Sequence, residues 1–573
     1  MKNLLKNLSR SQPITPDTTK QSSILRHPSL SWWTIFVIAL TLPIAIPIFS
    51  VLSSIFFDSS STWKHLANTV LLNYITNSFC LLIGVGCGVL VIGTGCAWLV
   101  TMCRFPGSRW FEWALLLPLA APAYVLAYTY TDFLEFSGPV QSTLRDIFHW
   151  SYGEYWFPNV RSLPGAILML TLVLYPYVYL LARVAFLEQS TCTLEASRIL
   201  GCNPWRSFIT VALPMARPAI VAGLALVSME TLGDYGTVQF FGVDTFTTGI
   251  YRTWFGLGER VAANQLAAML LLFVLGLILL EQWSRRRNRY YQSGSRYRQL
   301  PSYQLQGMRA ILSGIACFLP LFFGFLLPAG ILVKMMVDNL ETTLNDRFWT
   351  FATNSLILAS ITAILAVIIA LIIAYSLRLY PQIGTIFSAR LAAMGYAIPG
   401  SVIAVGTLVP MGKFDNLIDR WMQANFGIST GLLLSGTIAA LIFTYLVRFL
   451  AVSLNAVESS LGKIKPSLDD AARSLGCNPI STLIKIHTPM MTGGLLTAMM
   501  LVFVDVMKEL PATMIIRPFN FDTLAVRTYQ LASDERLAEA SAPALAIVLV
   551  GMLPVILLSW KIARSRHNQD VNG

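Results

Sequence analysis

Charge is scarce in this 573-residue chain: only 12% of its residues are Asp, Glu, Lys or Arg, while 55% are apolar. No soluble domain of that length sustains such a balance, so the scarcity excludes a soluble enzyme and puts the chain in a bilayer. Cysteine is sparse too. Cys80, Cys87, Cys96, Cys103, Cys192, Cys202, Cys317 and Cys477 all fall within apolar runs or on the inner side of the topology derived below, which leaves no outer-face disulfide. Five histidines and no Cys/His cluster at ligand spacing argue against a fixed metal or haem site. The G-x-x-x-x-G-K-[ST] phosphate cradle is missing, since the Gly-Lys pairs at Gly412 and Gly462 run on into Phe and Ile; the chain is therefore not expected to hydrolyse ATP itself. No clustered Ser/His or His/Asp set occurs, which disfavours a membrane hydrolase or transferase and leaves catalytic roles unassigned. Residues 1–30 are too long and too mixed for a signal-peptide n-region, and no small-residue cleavage pattern follows, so the first span is expected to stay as an anchor.

What is abundant is long apolar sequence. A hydrocarbon core about 30 Å thick needs about 20 apolar residues per helix. Twelve runs meet that need, at roughly 33–55, 75–102, 113–134, 163–187, 217–240, 264–283, 310–336, 352–377, 390–411, 429–454, 493–516 and 542–560. An all-α integral membrane protein is predicted. Placing the N-terminus inside leaves most of the 41 basic residues on the cytoplasmic side, as the retention of Lys and Arg in short inner loops requires. Both termini are then expected to be cytoplasmic. The formal charge of +12 reflects orientation in a lipid bilayer and calls for no nucleic-acid partner.

The chain repeats itself. Glu195-Ala-Ser-Arg-Ile-Leu-Gly-Cys-Asn-Pro204 returns as Asp470-Ala-Ala-Arg-Ser-Leu-Gly-Cys-Asn-Pro479, offset by 275 residues with six identities in ten. The same offset sets Glu230 opposite Asp505 and Arg252 opposite Arg527; at an offset of 277, Thr76-Asn77-Ser78 meets Thr353-Asn354-Ser355 and Pro122 meets Pro399. Six spans per half is an even number, so the two halves are parallel repeats about an axis along the membrane normal, with a pathway between them. The expected organisation is an N-terminal cytoplasmic tail (1–30), a first half (31–284, with a repeated loop at 188–216), a basic linker (285–308), a second half (309–562, loop at 455–492) and a short cytoplasmic tail (563–573).

Each repeated decapeptide lies between spans four and five or ten and eleven and runs on to a proline, Val211-Ala-Leu-Pro214 and Ile486-His-Thr-Pro489. A carboxylate and small residues suit the first turn of a helix, and the following glycine suits its end. The pattern resembles the EAA loop of ATP-binding-cassette (ABC) importer permeases, departing from it at Ser197, Val211, Asp470 and Thr488. That resemblance covers nearly the whole chain and implies the type I ABC importer permease fold. It also implies that the two loops, through Glu195, Ala196, Gly201 and Pro214 and through Asp470, Ala471, Gly476 and Pro489, dock two copies of a cytoplasmic ABC ATPase. This chain would bind no cofactor, with ATP and Mg used by that partner. Two segments, Gly233-Asp-Tyr-Gly-Thr-Val-Gln-Phe-Phe-Gly-Val243 and Lys508-Glu-Leu-Pro-Ala-Thr-Met-Ile-Ile-Arg-Pro-Phe-Asn-Phe-Asp-Thr523, look most like the fused ferric-iron permeases of the bacterial inner membrane, which work with a periplasmic binding protein. Other readings are a permease for another small solute such as thiamine, or a twelve-helix secondary transporter, against which the paired loops argue.

Carboxylates deep in a membrane each cost about 2.5–3.5 kcal/mol on insertion scales, so they face a cavity or a partner. Glu230 and Asp234, with Asp505 and Glu509 in the other half, are candidates for a pathway or gate; pairing with Lys508, Arg252 or Arg527 is the alternative. Tyr235 adds a phenol, and oxygen donors of this kind suit a hard cation such as ferric ion in transit. Pro122 and Pro399 each remove a helical hydrogen bond and are candidates for pore-facing bends. Tyr124 and Tyr128 either face the pore or pack. On the outer side, Arg252 and Arg527 are candidates for docking the binding protein.

Overall fold

The computed structural model describes residues 32–57, 60–151, 154–187, 197, 199–201, 203–286 and 303–570. The N-terminal tail, most of the basic linker, and Glu195 and Ala196 of the first repeated loop lie outside the described residues.

Lacking any partner for a bare peptide group inside lipid, the apolar runs fold as helices. They are α1 (Trp32–Ser53), α2 (Leu71–Met102), α3 (Ala123–Leu134), α4 (Leu163–Leu187), α5 (Leu213–Gly233), α6 (Arg260–Arg286), α7 (Met308–Asp338), α8 (Asp346–Leu379), α9 (Gly400–Phe426), α10 (Ile438–Leu461), α11 (Thr492–Met507) and α12 (Leu537–Asp570). Nine helices among the described residues are long and apolar enough to cross a membrane unaided. The remaining three spans are helix pairs bent sharply at a short break: 88° before α3, 118° before α9 and 80° before α11. The span predicted at 217–240 also ends early, since α5 stops at Gly233 and a short helix Gly236–Phe240 follows in a new direction.

Two of the bends follow from proline chemistry. A proline ring pushes the residue before it out of the α region, and Ala121 (φ −97°, ψ 125°) and Ile398 (φ −90°, ψ 128°) are both extended. Pro122 and Pro399 therefore do not sit inside helices. They form the N-terminal boundaries of α3 and α9, where their missing N–H leaves nothing unpaired.

The duplication predicted from sequence is visible as repeated hydrogen bonds. Asn77 Nδ2 donates to the Asp244 carbonyl at 2.9 Å, and Asn354 Nδ2 to that of Asp522 at 3.1 Å. A five-residue π turn precedes α5 at Phe208–Ala212, and another follows 275 residues later at Leu483–His487. Each runs directly into the loop proline, Pro214 or Pro489, whose missing N–H cannot hold the preceding turn to α-helical register.

The halves interlock rather than merely touch. The densest packing within each joins α2 to α4 and α8 to α10, but α1 lies against α9 of the second half, and α7 reaches back to α2 and α3 of the first. A two-residue parallel strand pair, Cys103–Arg104 with Tyr303–Gln304, adds one more tie across the chain.

Candidate functional site

Four helix breaks, two from each half, meet at one small cavity of about 110 Å³. Its walls include Pro122 and Tyr124 from the α3 break, Glu230, Gly233 and Asp234 from the end of α5, Tyr396 before α9, Arg448 on α10, and Asp505, Lys508 and Glu509 at the end of α11, with Tyr177 on α4. All four carboxylates singled out in the sequence thus converge on one space. Pro122 lines it directly, and Pro399 packs beside it, its Cα lying 3.7 Å from the point a Cβ on Gly233 would occupy.

The carboxylates divide into two kinds. Asp234 and Glu509, equivalents in the repeat, each hold the start of the short helix that follows a break. Asp234 accepts from Val238 N at 3.1 Å and Thr237 Oγ1 at 3.0 Å, and Glu509 accepts from Ala512 N at 3.0 Å, the usual bargain between a carboxylate and unpaired N–H groups at a helix N-terminus. Glu509 is also paired with Arg448 at 2.9 Å, and both side chains are buried. Gly400 makes room for that pair: a Cβ there would stand 2.1 Å from the guanidinium and 2.6 Å from the carboxylate. Sequence reasoning did not single out Arg448.

Glu230 and Asp505 sit in the last turns of α5 and α11, where the carbonyl ends of a helix repel negative charge and a partner is needed. Asp505 has Lys508 at 2.9 Å. Glu230 has a phenol, accepting from Tyr396 Oη at 3.1 Å, and no cation within ion-pair distance among the described residues. Counting side chains alone, the cavity walls carry four acids against two bases. Lys508 is thus one partner of the kind the sequence left open, whereas Arg252 pairs with Asp244 at 2.9 Å and Arg527 bonds Gln530 at 3.5 Å, both away from the cavity.

Tyr235 stands just outside the lining, its hydroxyl 3.5 Å from that of Tyr529 in the other half. Arg252 is half exposed. Arg527 lines a separate groove of about 350 Å³ together with Arg347, Arg536 and Glu539, and its guanidinium lies 5.6 Å over the ring of Phe351. Among the described residues no three His, Cys, Asp or Glu side chains come together in a way that would hold a metal ion.

Where both repeated loops are described, they turn alike at their glycines. Gly201 and Gly476 adopt left-handed φ of 79° and 80° with open space around them. In the second loop the helix Pro466–Ser474 closes there in a Schellman motif, Cys477 N donating to Ala472 O and Gly476 N to Arg473 O, both at 3.0 Å. Leu200 and Leu475, just before these glycines, are 82% and 83% exposed, with Ile199, Trp205, Ile480 and Ile484 also out. Asp470, Ala471, Pro214 and Pro489 are exposed. The neighbour of Asp470 is the engaged residue: Asp469 takes Arg378 Nε of α8 at 2.8 Å and lies 2.6 Å from His487 Nε2, a contact that the sequence reading missed.

Comparison with known proteins places the chain. The family described as "Binding-protein-dependent transport system inner membrane component" matches residues 24–290. Fe(3+)-transport system permease protein FbpB 2 of Haemophilus influenzae is 26% identical over 92% of this chain and 97% of its own length. From the same organism, putative ferric transport system permease protein FbpB 1 is 25% identical over 85% and 77%, and molybdenum transport system permease protein ModB is 31% identical over 33% and 83%.

Proposed function

Because the chain belongs to the binding-protein-dependent transport system inner membrane components, multi-pass permeases of the type I ABC importer fold, we propose that it is the complete two-half pathway through which ferric iron is imported. The observation that carries the cargo is the cavity. Four carboxylates against two bases make a cation-selecting wall and a poor host for an oxyanion such as molybdate. A volume of about 110 Å³ also admits an ion with a few waters, each taking about 30 Å³. A vitamin-sized solute such as thiamine calls for a pocket of roughly 300 Å³ or more. The relatives named as ferric permeases along nearly the full chain support the same cargo.

In this reading the half-unpaired Glu230 and the Lys508-bound Asp505 meet the ion, while Asp234 and Glu509 hold the broken helices that shape the gate. A site built of one open carboxylate and one already paired holds a cation loosely, as a pathway must. Energy arrives from two copies of a cytoplasmic ABC ATPase, one on each repeated loop. The exposed Leu200 and Leu475 beside identically turned glycines are the apolar anchors such docking needs. The distribution of basic residues supports a cytoplasmic position for these loops and both termini. Arg252 and Arg527 then face a periplasmic binding protein, and the groove lined by Arg347, Arg527 and Arg536 suits an acidic knob on it.

The test is uptake of radiolabelled ferric iron by iron-starved cells with and without this gene, with molybdate and thiamine uptake alongside. Iron uptake lost on deletion, restored by the wild type and not by Gly201→Asp with Gly476→Asp, is the expected result. Unchanged iron uptake would sink the cargo while leaving the family intact.

A further inference from the structure

Above the carboxylate cavity, toward the loops assigned to the outer face, runs a series of tyrosines. Tyr124 and Tyr128 come one turn apart from α3, Tyr235 from the break after α5, Tyr251 from the helix Phe246–Tyr251, and Tyr529 from Leu524–Ser533 of the second half. Their rings are consecutive neighbours: Tyr124 to Tyr128 at 5.8 Å, Tyr128 to Tyr529 at 6.5 Å, Tyr529 to Tyr235 at 5.8 Å and Tyr235 to Tyr251 at 4.6 Å. Tyr124 is the foot of the series, since it also lines the cavity. The step from Tyr529 to Tyr235 crosses between the halves, where the two hydroxyls stand 3.5 Å apart.

Two of these hydroxyls are anomalous. Tyr124 and Tyr128 are 5% and 3% exposed, yet neither Oη has a hydrogen-bond partner among the described residues. Leaving a buried hydroxyl dry and unbonded is costly, so Tyr124 on the wall of the polar cavity and Tyr128 next to it offer two adjacent free phenols to an oxygen-seeking ligand. Simple aromatic packing would be served as well by phenylalanine.

We propose that these tyrosines are a relay of transient ferric ligands leading from the outer loops into the carboxylate cavity. The inference rests on the ferric reading above. Ferric ion is a hard acid and a phenolate oxygen a hard donor. An arriving ion carries hydroxide or water. The metal-bound hydroxide takes the phenol proton and leaves as water while the iron–phenolate bond forms, and hydrolysis by the reverse step hands the ion on. The iron stays ferric throughout and no electron moves. Phenols suit this passage better than further carboxylates would, because a neutral hydroxyl is far cheaper than a carboxylate to keep dry when no ion is present. The ladder therefore seals when empty and turns anionic only around its cargo.

The experiment titrates the purified full-length chain, held with its ATPase in lipid nanodiscs, with ferric nitrilotriacetate and reads visible absorption for phenolate-to-iron charge transfer. The wild type is expected to develop the band. Tyr124→Phe/Tyr235→Phe/Tyr529→Phe, which keeps every ring and leaves two of the five phenols, is expected to lose most of it and, in cell uptake assays, to import iron at least tenfold more slowly. If the triple variant fails to assemble, Tyr128→Phe alone is used, with a weakened band expected. A wild type that imports iron without a band overturns the relay but spares the cargo. So does a band undiminished in the tyrosine variants, or a triple variant that imports at the wild-type rate. A wild type that imports no iron removes the cargo reading, and the relay with it.

Discussion

Arg448 is the residue on which the cavity most depends. Its guanidinium is buried against Glu509, which in turn holds the start of the helix Pro511–Ile516. Removing one partner of a buried pair strands the other charge, and typically costs about 3–5 kcal/mol, whereas removing both costs far less. Arg448→Ala should therefore lower the thermal midpoint of the purified protein markedly, and Arg448→Met with Glu509→Gln should recover most of it. Equal losses in the two variants would show that the pair is not the unit. Glu230→Gln, by contrast, removes a charge with no ion-pair partner among the described residues, hydrogen-bonded by Tyr396, so it should leave the midpoint nearly unchanged and reduce iron uptake about tenfold, an effect on passage rather than on folding. At this scale the sequence was readable where chemistry is rare. Carboxylates in apolar runs stand out, and all four were found. Arg448 carried the same signal, one arginine in the apolar run Ile438–Leu461, but it has no charged equivalent in the first half to draw notice to it. Tyr177 and Tyr396 carried none, since tyrosine in a membrane helix is ordinary until the fold shows what it faces.

At the scale of elements, the two repeated loops turn alike at Gly201 and Gly476, while the described residues around them are fastened differently. The second is clamped: Arg378 at the end of α8 bonds Asp469 and also the carbonyls of Leu461 and Ile464, with His487 buried against the same carboxylate. In the first half the repeat puts Thr101 and Ala212 where Arg378 and His487 stand, and the buried Ser197 and Ser207 hydroxyls pair at 2.9 Å instead. Under the docking proposed above, motion of the helix Pro466–Ser474 reaches α8 through these charged hydrogen bonds, each worth about 1.5–3 kcal/mol. Asp469→Asn should keep ATP hydrolysis by the reconstituted complex while lowering iron imported per ATP about fivefold, a change of about 1 kcal/mol in coupling. Unaltered stoichiometry would refute the clamp. The proposed docking is tested at the exposed leucines: Leu200→Asp with Leu475→Asp should forfeit about 1.5–3 kcal/mol of apolar burial at each loop and abolish co-purification of the ATPase. The loops were legible because both copies carry the same punctuation, and Gly201 and Gly476 indeed take the one backbone conformation that glycine favours. The clamp was not, because Arg378 lies 91 residues from Asp469 and nothing local ties them. Helix breaks were half legible. Prolines announced two of them, yet the end of α5 at Gly233 was hidden inside an apolar run that continues past it.

For the whole molecule, duplication raises the question of what fusion accomplishes. Parallel repeats could in principle be two independent bundles joined by a tether, and the sequence alone allowed that. The interlock argues otherwise. α1 belongs to the first half by sequence but lies against α9, passing so close that a Cβ on Gly406 would fall 2.4 Å from the Pro47 carbonyl. α7 likewise packs on the first half, where Gly324 admits the Leu172 carbonyl at 2.7 Å from its missing Cβ. Contacts this tight between helices in lipid rest on small residues and close van der Waals fit, and they join the halves whether or not the chain is continuous between them. Cutting the gene between residues 290 and 300 and expressing both pieces should therefore give a complex that co-purifies, retains the full-length thermal midpoint within a few degrees and imports iron at near the intact rate. Either piece alone should be unstable, because its α1 or α7 would have lost the surface it packs on. Adding Gly406→Leu to the divided protein drives a side chain into the α1 backbone. It should abolish co-purification there while only weakening the fused chain, since the linker holds the halves at high effective concentration. Survival of the divided Gly406→Leu complex would mean that the linker's neighbourhood, and not the crossing helices, holds the two halves together.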